Sequence, residues 1–257
     1  MNDLFGKPLA LVVGLALVSL LPFVFMSLTS FVKISTVFQI LKSALGAPSV
    51  PSNTVIMALS ASLTVLAMAP VGTQIAHRAS PLLSEKSDTS KVIREGWTAI
   101  SVPLLGFLSS NASELEKGRF LALATKAHTR SMESLQTSID EGDLQHEEEI
   151  DKDEKTGKGA KKQTSPRRPL KIDPPTAKDF TVLAPAFVVT ELGEAFRIGF
   201  MIYLPFLVLD LVIANVLLAL GMQMLSPTQI SLPFKLLLFV AVGGWGLLAE
   251  ALVSSYR

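Results

Sequence analysis

The chain of 257 residues is predicted to be an all-α, multi-helix membrane-associated protein. Four runs come close to the roughly 20 apolar residues that cross a bilayer as a helix. Charge is concentrated between the second and third runs, because 17 of the 22 acids and 17 of the 23 Lys and Arg lie between His77 and Phe180. The sequence therefore predicts four long hydrophobic helices, a polar helical hairpin between the second and third, and a disordered insertion.

Two hydrophobic helices are expected in residues 1–76. They run from Pro8 to Val32 and from Asn53 to Ala76, and neither run contains a charged residue. The first run has no A-x-A-like cleavage site and is too long for a usual signal-peptide core, so we expect an uncleaved helix. The connector between them, residues 29–52, ends in the turn-rich sequence GAPSVPSN, which is typical of a break between helices.

A polar helical hairpin is expected in residues 77–139. Apolar side chains recur at spacings of three and four, at Trp97, Ile100, Leu104, Phe107 and Leu108, which indicates a helix. Pro103 is expected to kink or split it. The sequence SSNASELEKG then supplies Asn111 or Ser113 as a cap ahead of acidic residues, which suit a helix N-terminus.

Residues 140–179 change character and are predicted to be a charged, disordered tether. Nine acids fall between Asp140 and Glu154, and eight Lys or Arg fall between Lys152 and Lys171. Such a segment buries too little apolar area to offset the entropy lost on ordering. A docking arm for a partner is the alternative interpretation of this tether.

The second hydrophobic pair is expected in residues 180–257. The third run, Ile198 to Leu220, is interrupted by Pro205 and Asp210. The fourth run, Leu232 to Val253, has Lys235 near its start and Glu250 near its end, with 14 residues between these ions. Charged residues in such spans usually face a bundle interior or a water-filled path.

Asp210 and Lys235 form a predicted intramembrane ion pair. Asp210 lies about 15 Å from the turn after Leu220, whereas Lys235 lies about 4 to 5 Å from it if its helix begins at Leu232. A straight hairpin would then separate the two charges by about 10 Å. Either the two helices are staggered or the partner of each charge comes from a neighbouring subunit, and we expect the neighbouring subunit.

Two further features in this region are candidate sites. Glu191, Glu194 and Arg197 are one turn apart, and an ordinary surface ion pair between Glu194 and Arg197 is expected at the membrane boundary. Gly221 suits a left-handed helix C-cap and Pro227 a helix break. The intervening loop is expected to be extended.

Met222 and Met224 would share one face of such an extended loop, with Gln223 pointing away from them. Methionine is unbranched and adaptable, so these side chains would form a flexible apolar collar if the loop were repeated around a ring. Two ordinary packing methionines are the alternative.

Enzymatic and nucleic-acid functions are not indicated. Phosphate-loop, dinucleotide-binding and nucleophile-elbow motifs are absent, and His77, His128 and His146 lack metal-ligand spacing. There is no cysteine, and the net charge of +1 gives no basic stripe for nucleic acid. We expect no catalytic residue, no metal and no cofactor.

The chain resembles the export-gate family called SctR in type III secretion systems and FliP in flagella. The resemblance is carried by PAFVVTELGEAFRIGFMIYLPFLVLDLV, GMQMLSP, ISLPFKLLLFV and GGW, and upstream by LTSFVKISTVFQILKSALG, PSNTVI and LTVLAMAPV. Residues 140–179 look like an insertion into the family pattern. Gln223 stands where relatives often have Met, and Thr190 where Ser is common.

This resemblance implies a non-enzymatic, pore-forming subunit of an inner-membrane export apparatus. Five copies would assemble with the related subunits SctS and SctT, and with SctU and SctV nearby, to pass unfolded protein substrates. The family's methionine gasket maps onto Met222, Gln223 and Met224. The multi-pass protein would be raised toward the periplasm in the assembled complex.

The residues by themselves are also compatible with two other functions. A small secondary transporter or proton channel would use Asp210 as a relay, since a hydrophobic segment broken by Gly and Pro is typical of transporters, although there is no internal repeat. A membrane scaffolding protein would use the tether to dock partners and would have no passage.

Overall fold

Helices form all the regular structure in the part of the chain that the structure, a computed structural model, describes: residues 3–46, 51–84, 89–154, 173–222 and 224–256. The helices are α1 (Asp3–Leu28), α2 (Phe31–Leu45), α3 (Asn53–Ala67), α4 (Ala69–Ser84), α5 (Thr89–Asn111), α6 (Glu114–Glu154), α7 (Phe180–Ala219), α8 (Pro227–Ala241) and α9 (Gly244–Ser254). The predicted all-α fold class is thus confirmed.

One helix in the described residues, α7, is by itself long and apolar enough to cross a membrane. Its 40 residues correspond to about 60 Å, twice the thickness of a bilayer core. Three bent pairs also qualify if each is counted as one span, with angles of 70° between α1 and α2, 57° between α3 and α4, and 60° between α8 and α9. The four predicted apolar segments are therefore present, but three are broken.

The helix α2, which lies inside the predicted connector, is the centre of the main core. Its side chains Ile34, Val37, Phe38 and Leu41 are completely buried. They pack with residues from the other hydrophobic helices, namely Ile56, Ala195, Phe206, Phe239 and Leu252. The segment between the first two predicted helices is thus not a simple loop, because its apolar stripe is covered on several sides.

A second core joins the polar hairpin to the beginning of α7. Leu108, Leu183, Ala186 and Phe187 are almost fully buried there, and the rings of Phe107 and Phe187 lie 5.5 Å apart. This core holds the first third of α7 against protein. The last third of α7 instead exposes apolar side chains to the surroundings, among them Leu211, Val212, Val216 and Leu218.

The hairpin has the cap expected from the sequence but extends further. Ser113 Oγ accepts a hydrogen bond from the Glu116 N–H at 3.2 Å, which begins α6, and Pro103 lies inside α5 without ending it. Helix α6 passes the predicted start of the tether at Asp140 and continues to Glu154. Glu, Gln, Leu and Lys in this stretch favour helix intrinsically; residues 155–172 lie outside the described residues.

The packing of α2 against α7 leads to a first prediction. A Cβ added at Gly199 would lie 2.4, 2.9 and 3.1 Å from Ile40 Cδ1, Cγ2 and Cβ. Rotation of Ile40 moves Cγ2 and Cδ1 but not Cβ, so the side chain must leave its rotamer and a contact tighter than usual remains at Cβ. Gly199→Ala is expected to destabilise the protein by about 1–3 kcal/mol, measured as a lower melting temperature in detergent.

Gly193→Ala, on the same helix, is the matched control. A Cβ at Gly193 meets nothing within 4 Å, so the higher helix propensity of Ala should stabilise by up to about 1 kcal/mol. Equal melting temperatures for the two variants would contradict the close approach of α2 to α7.

Candidate functional site

A buried lysine forms the first polar centre of the hydrophobic region. Lys33, near the start of α2, is 2% exposed, and its Nζ lies 3.3 Å from Glu191 Oε2 and 2.7 Å from Glu194 Oε2. Nζ also approaches Ser255 Oγ at 3.4 Å and lies 4.3 Å from the centre of the Tyr256 ring. We call these five residues the Lys33 centre.

The C-terminal segment closes this centre through Tyr256. Its hydroxyl donates a short hydrogen bond to Glu191 Oε2, and its ring stacks on Phe107 at 5.8 Å. Burial, reinforced by the charge of Glu191, raises the pKa of the Tyr256 hydroxyl, so the phenol stays protonated and serves as a donor. Tyr256 therefore links α5, α7 and α2 at one point.

The Lys33 centre replaces the predicted surface ion pair between Glu194 and Arg197. Glu191 is 1% exposed rather than lying at the surface, and both carboxylates converge on Lys33. Arg197 is exposed and takes no part. Lys33 was missed in the sequence, although a single Lys within the apolar stretch LTSFVKISTVF is the same signal that singled out Asp210.

A second polar centre joins α7, α8 and the end of α2. Lys235 Nζ lies 2.7 Å from Asp210 Oδ2 and donates to the Ala44 carbonyl at 3.0 Å. The Ser231 hydroxyl donates to Asp210 Oδ1. We call these four residues the Asp210 centre.

The expectation that Asp210 pairs with a neighbouring subunit is wrong, because Lys235 of the same chain binds it. The error lay in the start of the helix that carries Lys235, α8, which begins at Pro227 rather than Leu232. Lys235 is eight residues into α8, or about 12 Å, and Asp210 is nine residues before the end of α7, or about 13.5 Å. The two charges are therefore level.

The turn between α7 and α8 has a defined backbone. Gly221 has φ +73°, and the N–H groups of Gly221 and Met222 donate to Leu218 and Leu217 carbonyls at 3.0 and 2.9 Å. This is a Schellman motif, which ends a helix with glycine in the left-handed region. Pro227 is the first residue of α8, a favoured position, while Pro205 lies inside α7 without ending it.

The methionine side chains project from this turn. Met224 is fully exposed and Met222 is 48% exposed, while Gln223 lies outside the described residues. The Leu225 N–H donates to the Met222 carbonyl at 3.4 Å, so the segment is a turn and not the extended loop expected. The expectation that Met222 and Met224 share one face assumed an extended chain, and that assumption does not hold here.

Away from the two centres, an open cavity of about 540 Å³ lies between α6 and the segment before α7. Phe120, Leu123 and His128 line one side, and Asp173 and Asp179 the other. Within the described ranges, no three His, Asp or Glu side chains are grouped to hold a metal ion.

Comparison with known proteins gives a family match over most of the chain. Residues 14–252 match the model of the FliP family. The chain is 35% identical over 249 residues to the hypersensitivity response secretion protein HrcR of Ralstonia nicotianae, covering 96% of this chain and 97% of that protein.

Two further relatives are a translocation protein of Yop proteins and a flagellar biosynthetic protein. Identity is 36% over 249 residues with the Yop proteins translocation protein R of Yersinia pestis, covering 96% and 95% of the two chains. It is 34% over 247 residues with the flagellar biosynthetic protein FliP of Caulobacter vibrioides, covering 95% of this chain and 75% of that one. The similarity thus spans both hydrophobic pairs and the hairpin.

The Lys33 centre generates a second prediction. Lys33→Met leaves the buried Glu191 without its cation and should destabilise the protein by about 3–5 kcal/mol. Lys42→Met on the same helix is the control, because Lys42 is less buried and bonds only the Asn53 side chain, at 2.7 Å. Thermal unfolding in detergent measures both, and similar losses would contradict the assignment.

The Asp210 centre generates a third prediction. Asp210→Ala should cost about 3–5 kcal/mol, since it leaves the buried Lys235 ammonium unpaired. Lys235→Ala should cost less, because the Asp210 side chain is 34% exposed and water can reach its charge. The double variant should cost less than the sum of the two, giving a coupling energy of about 1–3 kcal/mol. A double-mutant cycle with additive costs would mean that the 2.7 Å contact does not form.

Proposed function

Since this chain belongs to the FliP family and is a component of a type III secretion or flagellar protein-export apparatus, we propose that it is the pore-forming subunit of a type III secretion export gate. Several copies, five in our proposal, surround a passage for unfolded protein substrates across the bacterial inner membrane. The related subunits SctS and SctT complete the ring, and SctU and SctV act with it. Its role is structural and not enzymatic.

The observation that carries this proposal is the methionine turn. Its backbone is held by the Schellman motif, and the hairpin beneath it is held in register by the Asp210 centre. The side chain of Met224, in contrast, is fully exposed, and that of Met222 is about half exposed. A rigid support for flexible apolar side chains is suited to a seal that closes against ions and reshapes around a passing chain.

The uncovered apolar surface around the turn also supports an assembly. In the last third of α7, Leu211, Val216 and Leu218 are more than half exposed, as are Phe234 and Leu237 of α8. Contiguous apolar patches of this kind mark contacts with lipid or with other proteins. Copies arranged as a ring would bury part of this surface and bring their methionine turns together.

The Asp210 centre disfavours the proton-relay alternative. Both Asp210 oxygens have a partner in the same chain, one Lys235 and the other Ser231, and the ion pair with Lys235 favours the charged form of the carboxylate over a protonated one. These contacts indicate a structural role that joins α7, α8 and α2. The transporter alternative therefore has no supporting observation in the described residues, whereas the scaffold alternative depends on the tether, of which residues 155–172 lie outside them.

The assembly itself is tested by native mass spectrometry of the chain extracted after co-expression with the companion export-gate subunits. We expect a high-mass complex that contains five copies of this chain. A chain that remains monomeric under these conditions would rule out the proposed pore, and a complex with another copy number would correct the stoichiometry.

The methionine turn provides the fourth prediction. Replacing Met222 and Met224 together with Ala should widen the closed gate, so that ion conductance rises several-fold while the amount of complex is unchanged. Conductance across planar bilayers or ion uptake by cells measures the leak. Assembly is expected to persist because Met224 is fully exposed and Met222 about half exposed, so neither belongs to the buried core of its own chain.

Met57→Ala is the matched control for this leak. Met57 lies on α3 and is 46% exposed, close to the 48% of Met222, but it is far from the turn in sequence. A double methionine variant as tight as the parent, with normal complex, would show that these side chains do not form the seal. A leak in the Met57 variant would show that loss of any exposed methionine suffices.

A further inference from the structure

The cavity beside α6 lies on an apolar face of that helix, and the described residues leave this face partly uncovered. Residues of α6 that line the cavity recur at spacings of three and four and so share one face: Phe120, Leu123, Ala124, Ala127 and His128. Leu123 is 61% exposed, and Leu135, seven residues beyond His128 on the same face, is 48% exposed. An amphipathic helix buries such a face against another element, so this one lacks an occupant.

The opposite wall of the cavity is acidic. Asp173 and Asp179 line it, and neither has an ion pair among the residues that the structure describes; the Asp179 carboxylate accepts only the Thr176 N–H, at 2.6 Å. On the α6 side, His128 Nε2 is buried with no hydrogen-bond partner in the described ranges, which costs free energy. The site therefore suits a peptide segment that combines an apolar side chain with cationic neighbours.

The chain itself brings such a segment to the cavity. Glu154, the end of α6, lies 26 residues beyond His128, or about 39 Å along the helix, whereas Asp173 lines the cavity. Residues 155–172, which lie outside the described residues, must connect these two points. Leu170 is three residues before Asp173, so their Cα atoms are at most about 11 Å apart on any path.

The end of this connection matches the site in chemistry. Residues 167–171 have the sequence RRPLK, in which a proline and a leucine stand between three cations. The leucine suits the apolar face of α6, and the cations suit the two unpaired carboxylates. The other cations of the connection, in residues 155–162, are at least 11 positions before Asp173 and closer in sequence to the acidic end of α6.

We propose that residues 167–171 bind in the cavity of their own chain, with Leu170 against the apolar face of α6 and with Arg168 and Lys171 beside Asp173 and Asp179. The basic end of the tether is then attached to the polar hairpin and is not available to dock a partner. This inference does not depend on the proposed ring.

Cysteine labelling tests the occupancy, because the chain contains no cysteine. Leu123 and Leu115 are both on α6 and are 61% and 63% exposed, but only Leu123 lines the cavity. In the purified full chain in detergent, we expect the thiol of Leu123→Cys to react with a maleimide several-fold more slowly than that of Leu115→Cys. Adding Leu170→Asp should remove this difference, whereas adding Gln163→Asp should leave it.

Two results of the labelling would overturn the proposal. Equal rates for the two thiols would show that nothing occupies the cavity. A slow rate at position 123 that Leu170→Asp does not raise, or that requires the companion subunits, would show that another segment or another protein occupies it.

Disulfide trapping identifies the chain that supplies the segment. Ala127 lines the cavity, so Ala127→Cys combined with Leu170→Cys should form a disulfide within one chain on oxidation, identified by peptide mapping. Ala122→Cys combined with Leu170→Cys is the control and should not, because Ala122 is exposed on the other side of α6. A disulfide between two chains, or equal yields from the two pairs, would contradict the assignment.

Discussion

The burial of Lys33 against Glu191 and Glu194 is the constraint on which the hydrophobic region depends. A buried ammonium is tolerated only when its charge is compensated and its donors are satisfied, and this requires α2 and α7 to meet at one register. The C-terminal segment must then reach the same point, because Tyr256 donates to Glu191 and covers the lysine. One polar centre thereby positions elements that are more than 150 residues apart.

The Asp210 centre applies the same constraint at the other end of α2. Lys235 reaches both Asp210 and the Ala44 carbonyl at the C-terminus of α2, where a cation is favoured by the helix dipole. With Lys33 near its start and Ala44 near its end, α2 is held at two points against α7. The antiparallel helices α7 and α8 then have a single register relative to each other. This register determines the position of the turn that joins them.

The two polar centres fix the positions of α2, α7 and α8, and this explains where the exposed part of α7 and the methionine turn lie. Helix α7 is about twice as long as a bilayer core is thick, so its buried first third belongs with the polar hairpin and its exposed last third faces lipid or neighbouring chains. The methionine turn lies at the end of that exposed part. A defined backbone that carries exposed methionine side chains at this position suits a seal.

Much of the fold follows from the sequence by itself. Long apolar runs and the concentration of charge in the middle of the chain determine an all-α membrane protein, since local hydrophobic patterning reports which segments leave water. The end of α7 at Gly221 and the cap at Ser113 follow from local backbone preferences. Asp210 and Lys235 are also identified as a pair, because isolated charges in apolar runs need compensation.

Only the tertiary structure decided which groups meet. Whether Lys235 reaches Asp210 of its own chain depended on where α8 begins, a shift of five residues that moves the lysine about 7.5 Å. The partner of Glu194 was Lys33 and not the nearby Arg197, because sequence neighbours on a helix compete with residues brought in from more than 150 positions away. Burial and register are set by the packing of all the helices together, so no local pattern contains them.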